Sequence, residues 1–178
     1  MAEGEAGPRA VTTYVFDACA LIDLFESDVG LLGLIARHLG PVVVLTPILG
    51  EVTGLEEDLC AELGLSIIEP TLDQMSEAAN AGGRLSFYDW LCLIAARDAG
   101  WTCVSSDGAL LQVCQQQNVA TVRGLRPILE LVERGHLHFR LAVSAIRAIR
   151  TKNCYITVAV VSAFTEELRA AARVARRE

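Results

Sequence analysis

The sequence predicts an α/β protein whose parallel sheet is covered by helices on both faces. Stretches rich in Val, Ile, Thr and aromatic residues alternate with stretches of helical pattern along the chain. One of these stretches, PVVVL at 41–45, is apolar without interruption, which is typical of a strand buried on both faces. The 178 residues are 52% hydrophobic with a mean hydropathy of +0.39, so the chain can bury a core of its own.

β-branched and aromatic residues identify five strands. The first reads VTTYVF and the fourth reads WTCV. The predicted strands are residues 11–16, 41–45, 65–68, 101–104 and 119–122. In a sheet of this class, ligands bind beyond the carboxyl ends of the strands, at the point where the strand order reverses.

Helical spacing of apolar residues and recognisable end signals identify the helices. Thr46 reads as an N-cap with Pro47 at the first helical position, and Gly100 ends a strongly apolar helix. Phe87 and Tyr88 open that apolar helix, and core packing is favoured over base stacking for both. The predicted helices are residues 18–25, 29–39, 46–55, 71–81, 86–99, 108–117, 126–134, 138–150 and 158–177.

The first ten residues are small and polar and contain Gly and Pro, so we expect residues 1–10 to be a flexible leader. They lack the apolar segment of a secretory signal. The chain also lacks a run of about 18 uncharged apolar residues. We therefore expect a cytoplasmic protein without a membrane segment.

Six cysteines show neither a C-x-x-C pair nor a histidine at ligand spacing, so we expect reduced, buried thiols and no zinc site. These residues are Cys19, Cys60, Cys92, Cys103, Cys114 and Cys154.

Charge is unevenly distributed along the chain. Residues 1–119 carry four basic and seventeen acidic side chains, a net charge of −13, whereas residues 120–178 carry eleven basic and five acidic, a net charge of +6. This pattern fits a cation-loaded acidic site beside a surface that faces a polyanion, and it equally fits C-terminal helices that carry Arg for solubility. The basic residues of this region include Arg140, Arg147, Arg150 and Lys152.

Four acidic residues stand where chemistry is expected in such a sheet. Asp17 follows the first strand and Asp107 follows the fourth, so both lie at carboxyl ends of strands. Glu51 and Asp89 lie on predicted helices, on the same face as apolar neighbours. A carboxylate on a core-facing stripe is costly unless it is paired, protonated or bound to a metal.

Each acid also has a structural explanation. Asp17 and Asp107 could cap the helices that follow them, and Asp89 could form a capping box with Ser86. Glu51 could be partly exposed to solvent. A single shared site explains all four positions together, so we predict that the four carboxylates meet in one pocket.

Four converging carboxylates repel one another, which raises some of their pKa values, and a divalent cation relieves the repulsion. Ligands that are all oxygen select a hard ion, Mg²⁺ or Mn²⁺. Such a site is suited to phosphodiester hydrolysis by metal-activated water. No G-x-G-x-x-G or Walker loop is present, and Asp17 begins D-A-C rather than the D-x-D of a phosphatase, so other phosphohydrolases are disfavoured.

Three segments, YVFDACALIDLF, TPILGEVTGL and LSFYDWLCLIAARDAGWTCVSSDGALL, resemble the PIN-domain nucleases, and most of all the VapC-type toxins. The resemblance covers residues 11–134, while residues 135–178 resemble a helical extension that packs on the same domain. It implies a three-layer α/β/α fold with a five-stranded parallel sheet in the order 3-2-1-4-5. It also implies a Mg²⁺- or Mn²⁺-dependent endoribonuclease that forms homodimers and is sometimes inhibited by a partner antitoxin.

The resemblance extends to single residues. Asp17, Glu51, Asp89 and Asp107 match the four acids that serve the family as catalytic residues and metal ligands. Ser105 stands where many members have Thr, two residues before the last acid, and its hydroxyl is expected to orient the carboxylate of Asp107.

Two departures from the family pattern leave alternatives open. Ala18 and Cys19 replace a more usual hydroxyl-bearing pair, and Gly108 and Ala109 lack an extra acid. We therefore expect at least one bound ion and leave a second open. The alternative function is a catalytically weak or inactive PIN-like module that binds RNA or a protein.

Overall fold

The computed structural model describes residues 11–153 and 155–174. The predicted leader, Cys154 and the end of the last predicted helix lie outside the described residues. The strands of the described part are β1 (Tyr14–Phe16), β2 (Val42–Leu45), β3 (Ser66–Ile68), β4 (Thr102–Ser105) and β5 (Thr121–Arg123).

The strands form one sheet in the order β3-β2-β1-β4-β5, and every neighbouring pair is parallel. Tyr14 of β1 lies opposite Val42 on one side and Thr102 on the other. The predicted class, a three-layer α/β/α fold with this strand order, is confirmed. Because all strands point the same way, their carboxyl ends share one edge, and the order reverses between β1 and β4.

Ten helices connect and cover the strands within the described residues. They are α1 (Ala18–Ser27), α2 (Gly30–His38), α3 (Thr46–Leu49), α4 (Glu57–Leu63), α5 (Leu72–Asn80), α6 (Phe87–Ala99), α7 (Gly108–Gln116), α8 (Arg126–Glu133), α9 (Phe139–Lys152) and α10 (Val158–Val174). Helix α9 packs against α1, and α10 packs against both α8 and α9.

The core surrounds the sheet. All residues of β1, β2 and β4 are buried, as are six consecutive residues of α6, 91–96. Capping side chains fix the starts of two helices, with full capping boxes formed by Thr71 and Gln74 on α5 and by Ser86 and Asp89 on α6.

The region between β2 and β3 corrects the sequence prediction. The helix expected over residues 46–55 ends at Leu49, and a turn follows that includes Gly54 at a φ of +89°. Helix α4 was not predicted, although its first-turn acids Glu57 and Asp58 and the left-handed Gly64 at its end are recognisable signals. Strand β1 is also shorter than expected, since Val11 is exposed.

Cys60, Cys92, Cys103 and Cys114 are buried free thiols, as predicted, whereas the prediction of burial is wrong for Cys19, which is exposed. Among the described residues, no helix is both long and apolar enough to cross a membrane.

Candidate active site

Asp17 lies at the reversal point of the sheet. It directly follows β1, and its backbone N–H donates to the carbonyl of Val104 on β4 at 3.0 Å. Its side chain caps α1, with Oδ1 accepting from the N–H of Ala20 at 2.7 Å. The residue is only 3% exposed, so the carboxyl group is held between two strands and the start of a helix.

Ser105 ties Asp17 to the end of β4. This fully buried serine donates its hydroxyl to Oδ2 of Asp17. Its Oγ accepts from the N–H of Asp107 at 2.9 Å. The sequence led us to expect contact with the carboxylate of Asp107, whereas the hydroxyl reaches the carboxylate of Asp17 and the backbone of Asp107.

Electrostatics make the carboxyl group of Asp17 unusual. Burial raises the pKa of Asp17 from 3.8 to about 6, against the lowering effect of the hydrogen bonds from Ser105 and Ala20. The charges of Asp89 and Asp107 raise it further. Among the described residues, no Lys, Arg or His forms an ion pair with Asp17, so its charged form lacks compensation.

Asp107 and Asp89 both start helices near this carboxyl group. Asp107 caps α7 through Oδ1, which accepts from the N–H of Ala109 at 2.6 Å. Asp89 accepts through Oδ2 from both the N–H and the hydroxyl of Ser86, at 2.9 and 2.8 Å. The capping roles considered for these acids are therefore present, and within the described residues the other carboxylate oxygen of each accepts no hydrogen bond.

Glu51 does not lie on a helix, so that prediction is wrong. It falls in the turn after α3 and is exposed. Its charge raises the pKa of the Tyr88 phenol. Glu51 therefore interacts with Tyr88, the residue that precedes Asp89. It is not among the charges that raise the pKa of Asp17.

The structure thus brings three of the four predicted acids into electrostatic contact and leaves Glu51 beside Tyr88. Throughout 11–153 and 155–174, no three His, Cys, Asp or Glu side chains are grouped closely enough to hold a metal ion as they stand. The donor type suits a hard cation, because Asp17, Asp89 and Asp107 all offer carboxylate oxygens and Asp17 has no ion-pair partner in the described part of the chain.

Three further residues near this edge were not identified from the sequence as site residues. The acids influence Cys19: desolvation raises the pKa of its thiol, and the charges of Asp17 and Asp89 also raise it. Tyr88 was expected in the core but is only half-buried and reaches Glu51. Arg123 ends β5 opposite Ser105, and its place at a strand end was the signal that could have found it.

The overall fold has a counterpart among solved structures. A PilT N-terminus domain protein from the archaeon Sulfolobus solfataricus P2 is similar, with a TM-score of 0.51 at 13% sequence identity. The likeness covers 71% of this chain and 99% of that chain. Neither a protein-family model nor a curated protein sequence matches this chain. At this level of identity the likeness concerns the architecture, and the chain has a PIN-like fold.

Proposed function

We propose that this protein is a Mg²⁺- or Mn²⁺-dependent endoribonuclease whose active site lies around Asp17. The observation that carries the proposal is the buried carboxyl group of Asp17 at the reversal point of the sheet, which has no ion-pair partner among the described residues and whose pKa is raised by the charges of Asp89 and Asp107. Burial makes the charged form of such a carboxyl group unfavourable, and a bound cation would remove this free-energy cost. The PIN-like fold and the order of the acids along the chain support the same assignment.

Each residue has a role in this proposal. Asp17, Asp89 and Asp107 would hold the ion, which when bound supplies a water of lowered pKa and a Lewis acid for the phosphoryl oxygen. Ser105 orients the carboxylate of Asp17 through its hydroxyl. Glu51 is the fourth acid, and its charge raises the pKa of Tyr88, the residue before Asp89.

Cleavage of RNA tests the proposal directly. We expect wild-type protein to cleave single-stranded or structured RNA with Mn²⁺ and to be inactive with a chelator. Asp17→Asn should lower the rate by about a hundredfold or more, because it removes the charge around which the site is built. The matched control is Asp73→Asn, an exposed acid in the first turn of α5 that should cleave at the wild-type rate. Equal rates for wild type and Asp17→Asn would refute the proposal.

A second candidate function is a PIN-like module that binds RNA or a protein without cutting. The observation that favours it is that no three potential ligands are grouped for an ion within the described chain. RNA binding without metal-dependent cleavage by the wild type would select this function.

A toxin role, an antitoxin partner and a homodimer extend the proposal and rest on the sequence resemblance. Exposed apolar side chains on α9 and α10, at Leu141 and Val158, are compatible with an interface. Light scattering of the purified chain tests the dimer, and growth arrest on expression, absent for Asp17→Asn, tests the toxin role.

A further inference from the structure

A groove runs from the carboxyl end of β5 to α10, next to the candidate active site. It encloses about 330 Å³. The side chains that matter for its chemistry are Ser106, Arg123, Arg126, Tyr155, Phe164 and Glu167.

The groove is continuous with the acidic site. Ser106 lines it and lies between Ser105, which binds Asp17, and Asp107. Arg123 stands opposite Ser105 in the β4–β5 register. Gly124 packs so closely on Ser106 that a Cβ there would clash with its hydroxyl.

The groove presents a cation and an aromatic ring. Arg123 is exposed, and in the described part of the chain it has no salt-bridge partner. Tyr155 is 86% exposed, which is unusual for a large aromatic side chain. Both residues line the same cavity, so a ligand held there can touch a positive charge and a ring face together.

The second arginine of the groove is already paired. Arg126 and Glu167 border a neighbouring cavity as well, and Arg126 pairs with Glu133 at 3.0 Å. Within the described chain, Arg123 is therefore the cation of the groove that has no salt-bridge partner, and it stands opposite Ser105, two residues before Asp107.

We propose that this groove binds a nucleotide of single-stranded RNA adjacent to the cleaved phosphodiester, with a phosphate on Arg123 and a base stacked on Tyr155. The assignment rests on the proposed function and adds a substrate subsite to it. One guanidinium beside one exposed ring matches one phosphate and one base. An acidic peptide is a poorer match, because it needs several cations and the other arginine of the groove is paired.

Binding measured without cleavage tests the groove separately from the nuclease activity. Fluorescence anisotropy with a dye-labelled single-stranded octaribonucleotide of mixed sequence, in chelator and low salt, gives the Kd. We expect Arg123→Ala to weaken binding roughly tenfold and to reduce the salt dependence by about one phosphate contact. Tyr155→Ala should weaken it by a factor of roughly ten, whereas Tyr155→Phe keeps the ring and binds within about twofold of wild type.

The matched control is Arg37→Ala, an exposed arginine in the last turn of α2 that does not line the groove and should bind RNA like wild type. Because Arg123 and Tyr155 are exposed, their variants should keep the wild-type melting temperature. A loss of binding that accompanies an unchanged melting temperature therefore reports on the groove.

The outcomes separate this proposal from the nuclease proposal. Weaker RNA binding by Arg123→Ala and Tyr155→Ala supports the groove even if wild type cuts no RNA. Metal-dependent cleavage with wild-type binding by both variants overturns the groove and leaves the nuclease standing. Loss of binding only in Arg37→Ala, or displacement of the RNA by an octaglutamate peptide at lower concentration than by unlabelled RNA, also overturns it.

Discussion

Two serine–aspartate pairs at the carboxyl edge of the sheet contain the same type of hydrogen bond, one pair in a buried environment and the other in an exposed one. Ser105 donates to Asp17 across 88 positions of sequence, in a buried contact between β4 and the end of β1. Ser86 donates to Asp89 across three positions, in an exposed capping box at the start of α6. Only the first pair requires the whole sheet to assemble.

The difference shows what each carboxylate contributes. Asp89 supplies hydrogen-bond acceptors to a helix start and remains accessible to water, so its local role is stabilising. Asp17 also caps a helix, yet burial raises its pKa to about 6, so the charged form opposes folding at neutral pH. A hydrogen-bonded carboxylate that costs stability is the feature that distinguishes the candidate site from an ordinary cap.

The largest expected effect concerns Asp17 itself. Its folded pKa is raised from 3.8 to about 6, so the folded state binds a proton that the unfolded state has released. The free energy of unfolding of the wild type in metal-free buffer should therefore fall by about 2 kcal/mol, relative to Asp17→Asn, as the pH rises from 4 to 6. Urea unfolding at several pH values measures it.

Asp73→Asn on α5 is the control for this experiment. Its free energy of unfolding should change with pH in parallel with that of the wild type between pH 4 and 6. If the free energies of unfolding of Asp17→Asn and the wild type changed in parallel with pH, burial would not raise the pKa of the Asp17 carboxyl group.

The second effect concerns the long-range pair. Ser105→Ala removes the donor to Asp17 and leaves the N–H of Asp107 without its partner, at a cost of about 1–3 kcal/mol. Because the hydrogen bond from Ser105 lowers the pKa of Asp17, the variant should also shift the pH-dependent loss of stability to higher pH. Ser144→Ala, an exposed position on α9, should change neither the urea midpoint nor its pH dependence.

The smallest effect concerns the local pair. Ser86→Ala should cost about 1 kcal/mol, the usual value of an N-cap, and should leave the pH profile of unfolding unchanged. Thr71→Ala removes the equivalent cap of α5, away from the acids, and should cost a similar amount. A change in the pH profile caused by Ser86→Ala would mean that the two serine–aspartate pairs are not electrostatically distinct.

The sequence predicted the class of fold and the placement of Asp17 and Asp107 after β1 and β4, for identifiable physical reasons. Uninterrupted apolar strands required cover on both faces, and the resemblance supplied the strand order that makes Asp17 and Ser105 neighbours. Glu51 was wrongly placed on a helix. The residues Ile48, Val52 and Leu55 are all buried, and their spacing fits a helix. In the structure only Ile48 lies on α3, and the turn that contains Gly54 carries the other two residues. Apolar spacing alone does not separate these two conformations.

The groove beside the acids could not be predicted in the same way. Arg123 and Tyr155 belong to separate parts of the chain, and only the packing of α10 against α8 and α9 brings residues of these elements around one cavity. Local sequence patterns carry no signal for such a long-range contact.

Calorimetric titration with Mn²⁺ tests the central claim most directly, namely that the buried carboxyl group of Asp17 is the centre of a hard-cation site. At pH 6, close to the raised pKa of Asp17, the wild type should bind at least one Mn²⁺ per chain with proton release, since Asp17 must be ionised to bind it. Asp17→Asn should lose this binding, and Asp73→Asn should retain it. Equal Mn²⁺ uptake by wild type and Asp17→Asn, or none by the wild type, would contradict the account.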